Sequence, residues 1–232
     1  MSSKDISYKF SGFEVSLGLA VIALFMWHSP IVLPFKLITV FFHELSHGLA
    51  AILTGGSIAG ISINSMQGGC CLTVGGWRWL ILSAGYLGSL LWGIGILLAS
   101  KKKGINRALT QSLGILLLIV AAIWIRGIEA LLLTIFIGAG LIFISSKLKE
   151  SYCTIFIRFL SLLSCFYVVY DIKDDLLSRS IMASDASQLA MIIFPRFMWP
   201  AGGWIIGAIW MAIALFLLYK VFKQTFARES GY

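Results

Sequence analysis

The chain has 232 residues, 59% hydrophobic and only 12% charged, with a mean hydropathy of +0.94 and a formal net charge of +8. Soluble globular domains carry roughly 45–50% apolar and about 25% charged residues, so this excess of apolar side chains needs an apolar solvent outside the protein as well as a core within, and a lipid bilayer supplies it. A soluble domain is thereby excluded, and so is a nucleic-acid partner, because the basic residues stand mostly between apolar runs, where they anchor loops.

A spanning helix takes about 20 mostly apolar residues, which allows roughly six or seven spans. A first apolar run, residues 13–27, ends at His28-Ser29-Pro30. A second, residues 31–54, contains two histidines and stops at Gly55-Gly56. Residues 57–76 have a different texture, with short alternating runs on either side of Gln67-Gly68-Gly69, and this predicts a small β-hairpin. Further spans are predicted at residues 77–100, 113–124, 130–146 and 155–170, the fourth run starting near Ala108 if it is to reach full length. A more polar stretch leads from Asp171-Ile172-Lys173-Asp174-Asp175 to Pro200, and residues 202–221 form the last span, with a G-x-x-x-G pattern at Gly203 and Gly207 that favours close helix packing. The expected fold is an all-α multipass membrane protein carrying a membrane-associated hairpin, as one domain over residues 1–232. Cys70, Cys71, Cys153 and Cys165 have no spacing that suggests a disulfide framework.

The second run holds His43-Glu44-Leu45-Ser46-His47. Four residues apart on a helix, the two imidazoles share a face one turn apart and can reach one tetrahedral ion, for which Zn²⁺ is the natural candidate. Glu44, beside the first histidine, is placed to act as general base and acid for water attacking a peptide bond, which is the H-E-x-x-H arrangement of zinc metallopeptidases. Ionisable residues inside a span are costly, at about 2.5–3.5 kcal/mol each for charged ones, so three together among Phe41-Phe42 and Leu49-Ala50 point to function. His28 stands alone beside Ser29-Pro30 and reads as interfacial. A third protein ligand is required, and the carboxylates nearest membrane depth are Asp171, Asp174 and Asp175. Asp171 directly follows the apolar Val168-Val169-Tyr170 and is expected to be the ligand, with Asp174 the alternative.

The segment from Phe41-Phe42-His43-Glu44-Leu45-Ser46-His47 to Leu53-Thr54-Gly55-Gly56 resembles the site-2-protease type of intramembrane zinc metallopeptidase, in its smaller B-type branch. Ala84-Gly85-Tyr86-Leu87-Gly88 is similar to that branch's next-span motif. Asp171-Ile172-Lys173-Asp174-Asp175-Leu176, followed by Ser184-Asp185-Ala186, is similar to its acidic-ligand region. The resemblance implies His43 and His47 as ligands, Glu44 as base and an aspartate as third ligand. Better-known members carry an Asn- and Pro-containing segment ending in Leu-Asp-Gly where this chain has Tyr170-Asp171-Ile172.

The function expected is hydrolysis of a peptide bond in a membrane-embedded protein substrate. Such a bond must be drawn out of its helix first. An exposed strand edge can receive it as an added strand, and Ile61, Ser62, Ile63 and Asn64 are expected to form that edge. The alternatives are a metal transporter and an inactive relative acting as a membrane binding protein. Lys36, the Lys101-Lys102-Lys103 to Arg107 loop, the Lys147 loop and the C-terminus fall on one side, which the positive-inside bias assigns to the cytoplasm.

Overall fold

The computed structural model describes residues 12–102, 104–177 and 184–229. Arg179, Lys103 and the side chain of Asp175 lie outside the described residues. In chain order the elements are α1 (Gly12–Phe25), a 3-10 turn (Pro30–Val32), α2 (Leu33–Leu53), β1 (Ser57–Ile63), β2 (Gly69–Val74), α3 (Arg78–Ala99), α4 (Asn106–Ile123), α5 (Ile128–Lys147), α6 (Glu150–Leu177), α7 (Asp185–Ile193), a 3-10 turn (Arg196–Met198) and α8 (Trp199–Glu229). Among the described residues six of these helices, α2 to α6 and α8, are long and apolar enough to cross a membrane. With the two-stranded antiparallel sheet they make the multipass helical protein that the composition calls for.

Side-chain contacts fix the up-and-down order. At one end, Glu150 at the start of α6 accepts from the Asn106 and Arg107 backbone N–H groups at the start of α4, and Arg107 donates to the Leu148 carbonyl at 2.7 Å. The α3–α4 and α5–α6 links therefore lie together. At the other end, the α4–α5 link meets the hairpin. Ile61 N–H donates to Trp124 O and Arg126 N–H donates to Ile61 O, both at 2.8 Å. Glu129, in the first turn of α5, accepts from the Ser65 N–H at the hairpin turn.

Helix α2 is the inner helix. Its most apolar 18-residue window is 83% buried, against 28% for α5. It starts cleanly because Ser29 caps the preceding 3-10 turn and Pro34 sits in the first turn, where a missing N–H costs nothing. It ends at Gly55, whose φ of +85° suits the left-handed position that closes a helix. Val40, Phe41 and Leu45 join Leu160, Leu163 and Tyr167 of α6 in one core cluster, while Leu82, Tyr86 and Leu90 of α3 join Val168 and Ile172 in a second.

The structure corrects three sequence expectations. The sixth span does not stop at Tyr170. Helix α6 runs 28 residues from Glu150 to Leu177, so the acidic run begins as helix. The polar stretch that follows contains a short helix, α7, seated against α3 and α8. Lys36, counted among the charges of one side, does not face the membrane surface. It is buried in the second turn of α2, 6% exposed, with Nζ 4.9 Å from the centre of the Trp27 ring. The charge asymmetry survives its loss, through Lys101, Lys102, Arg107, Lys147 and Lys149 at the end away from the hairpin.

The asymmetry sets an orientation that labelling measures. In a background lacking the four native cysteines, a single cysteine at exposed Ser65 should react with an impermeant thiol reagent added outside intact cells, and one at exposed Lys102 should not. Reaction at Lys102 alone would invert the orientation.

Candidate metal and catalytic site

Consecutive turns of α2 bring the His43 and His47 rings to a centroid distance of 4.8 Å. His47 is held from behind, its Nδ1–H donating to the Ile81 carbonyl at 2.6 Å, which turns Nε2 toward the site. The edge of Tyr86 meets the His43 ring at 5.0 Å and 89°. The carboxylate that meets both Nε2 atoms is that of Asp185, whose Oδ2 lies 3.1 Å from each. One donor atom from each of these three residues lies within 4.8 Å of the others, the group among the described residues with metal-binding spacing.

Asp185 reaches this point because of how α7 begins. Ser184 is its N-cap, its side chain accepting from Ser187 N–H, and Asp185 follows in the first turn, where the helix dipole favours an anion. Ala186, Leu189 and Ala190 bury against the α3 and α8 core, and the Arg78 guanidinium donates to Gln188 Oε1 at 2.8 Å. Gly203 of α8 leaves room for Ser187, since a Cβ there would come within 2.7 Å of the Ser187 hydroxyl. Burial opposes ionisation of Asp185, but the charge on His47 and hydrogen bonds from both imidazoles outweigh it and hold the carboxyl below its usual range.

Asp171 is also buried, 7% exposed, but on the far side of His43, with Oδ2 3.8 Å from Nδ1. Asp174, one turn further along α6, is half exposed and lies 3.8 Å from Lys173. Asp185 has one signal in the sequence, the Ser184-Asp185-Ala186 stretch. Its position in space depends on a chain return that no local pattern encodes.

Glu44 points toward β2. The pairing explains what it meets there. The Ile61 N–H and C=O are bonded outward to Trp124 and Arg126, so the Ile61–Cys71 pair turns its backbone groups away from each other. The Cys71 N–H therefore faces away from β1, and it donates to the Glu44 carboxylate. A Cβ on Gly69 would fall on Glu44 Oε1. The strand that lines the site is thus β2. Ile61 to Asn64 do not line the cavity: the outer side of Ile61 is occupied by the α4–α5 link, and Asn64 closes the turn by accepting from Met66 and Gly68 N–H. The cavity holds about 460 Å³, with His43, Glu44, His47, Asp171 and Asp185 on one side and residues 69–73 on the other. Cys70 and Cys71 are on this wall, and burial together with the Glu44 charge pushes the Cys71 thiol up to about 12, so it stays protonated.

The donor set suits a divalent metal. Two imidazole nitrogens and one carboxylate oxygen converge, one histidine is already oriented by a backbone carbonyl, and Gly85 of α3 leaves the space. A Cβ at Gly85 would collide with both Nε2 atoms.

A family described as Peptidase M50B-like matches residues 16–221, nearly the whole chain. The chain belongs to this family, the site-2-protease family of membrane metallopeptidases. No curated protein and no solved structure matches it.

Two glycines separate the parts of the site. Gly85→Ala should lower any metal content, because the added methyl displaces both Nε2 atoms that face Asp185. Gly69→Ala should retain metal and lose turnover, because it displaces Glu44 alone. Gly95→Ala, with open space around it, should match wild type in both. Metal content by elemental analysis and cleavage of a reporter substrate read the two effects.

Proposed function

We propose that this chain is an intramembrane zinc metallopeptidase, with His43, His47 and Asp185 as ligands and Glu44 as general base and acid. The observation that carries the reading is the convergence of both Nε2 atoms on Asp185 Oδ2 at 3.1 Å, one residue from a buried glutamate, inside a membrane-spanning bundle. Zinc, when bound, supplies Lewis acidity toward a carbonyl oxygen and makes water a usable nucleophile near neutral pH. Glu44 accepts the proton of the attacking water and delivers it to the nitrogen of the departing amine. The polar cavity lies within a bundle of lipid-spanning helices, which suits a substrate delivered from lipid.

The substrate is a membrane-embedded protein segment in extended form. A peptide bond within a helix is shielded by its own backbone hydrogen bonds, so the segment must trade these for others. The outer edge of β2, at Gly69–Val74, offers them beside Glu44. Strand addition therefore belongs to β2, and not to Ile61, Ser62, Ile63 and Asn64 as the sequence pattern suggests.

Glu44→Gln should keep zinc and lower hydrolysis by roughly a hundred- to ten-thousand-fold, the usual weight of a positioned acid–base group. Asp185→Ala should lose metal and activity together, whereas Asp174→Asn should keep both. Elemental analysis of purified protein beside a cleavage assay decides each. Metal loss in Glu44→Gln would overturn its role as base, and wild-type zinc in Asp185→Ala would remove it from the ligand set.

A further inference from the structure

A metal on Nε2 of an imidazole fixes the ring proton on Nδ1, and that N–H then needs an acceptor. His47 has one in the Ile81 carbonyl, 2.6 Å away. His43 has none at hydrogen-bond distance. Its Nδ1 is buried and without a hydrogen-bond partner among the described residues, while its Nε2 faces Asp185. The acidic oxygen beside this orphaned nitrogen is Asp171 Oδ2, at 3.8 Å. An N–H···O bond spans about 2.7–3.2 Å, so a movement of about 1 Å closes the gap.

The surroundings hold Asp171 at that place. It lies on the stretch of α6 that continues past Tyr170, with Val168 and Ile172 packed into the core on either side. Trp27 stacks on Tyr170 with ring centres 4.1 Å apart and meets Tyr167 at 6.2 Å, pinning this end of α6. Asp171 Oδ2 faces the opposite edge of the His43 ring from Asp185 Oδ2, so the two carboxylates do different things to one imidazole.

We propose that Asp171 is a positioning residue, accepting the Nδ1 proton of His43 from behind while Asp185 binds the metal. The two histidines are then unequal ligands. His47 is backed by a neutral carbonyl and His43 by an anion, which makes His43 the stronger donor of the pair. The proposal rests on the reading of His43 and His47 as ligands.

The test uses full-length protein in detergent, with zinc affinity measured by competition against a chromophoric chelator and the ligand field read from the visible spectrum of the cobalt(II) form. Asp171→Ala should lower zinc affinity about 10- to 100-fold, the usual effect of removing an outer-shell partner, and still bind one equivalent at saturation. Asp171→Asn keeps an acceptor oxygen without the charge and should fall between Ala and wild type. Both should shift the cobalt bands while keeping four-coordinate intensity, which a merely structural residue would not do. Wild-type affinity and spectrum in the Asn and Ala variants would overturn the proposal. So would an Asp171→Ala protein that binds no metal beside an Asp185→Ala protein that does, since Asp171 would then be the ligand. If Ala does not fold, the near-isosteric Asn variant carries the decision. Wild-type protein that binds no zinc would defeat the ligand reading itself, and this proposal with it.

Discussion

The cost of placing polar groups at membrane depth organises this protein. Two imidazoles and three carboxylates lie in or beside the lipid-spanning bundle, and each one facing hydrocarbon would cost several kcal/mol. They are tolerated only inside protein. That requirement accounts for α2 being the inner helix, wrapped by α3, α6 and the hairpin, while α5 and α8 expose most of their apolar windows. It also accounts for the small residues at the contacts. Gly85 lets α3 come close to the histidines, and Gly88 does the same at Ser46. A larger side chain at either place would hold the helices apart and let the polar cluster meet lipid or stray water.

The same constraint acts on backbone. Strands at membrane depth need every N–H and C=O satisfied, and open edges are tolerated only where they line a protein-enclosed cavity. On β1 the outer groups of Ile61 are taken by Trp124 and Arg126, and Glu129 reaches across to the Ser65 N–H. On β2 one outer donor, at Cys71, is answered by Glu44 itself. The glutamate therefore has two partners to choose between, a strand N–H on one side and the histidine site on the other.

How far the site is legible in the sequence depends on how local its parts are. His43, Glu44 and His47 are set by helical spacing within five residues, and the structure keeps all three on α2. The hairpin is legible from Gln67-Gly68-Gly69 and the alternation around it. Which edge faces the site is not, because that depends on Trp124 to Arg126, some sixty residues on. Lys36 reads as a charge on one membrane side because it stands near the start of a span, and its burial beside the Trp27 ring has no signal in the local sequence. The acidic run reads as the source of a third ligand, although Lys173 and Asp174 within it are half exposed. The apolar residues before Asp171 place it near the site, but two carboxylates flank His43, and no pattern in the sequence says which faces Nε2. Helix α7 escapes sequence reading because nine residues with a Ser cap inside a polar stretch give a weak periodic signal.

Asp185 stands 142 positions after His43 along the chain, and α7 is seated in turn by Gly202 and Gly203 of the last helix. A ribosome delivers the chain N-terminus first, at about 5–20 residues per second. For most of its synthesis the protein therefore carries a histidine pair and a glutamate with no carboxylate to complete them. The His43, His47 and Asp185 cluster is complete only once α7 and the helix that seats it have both been made.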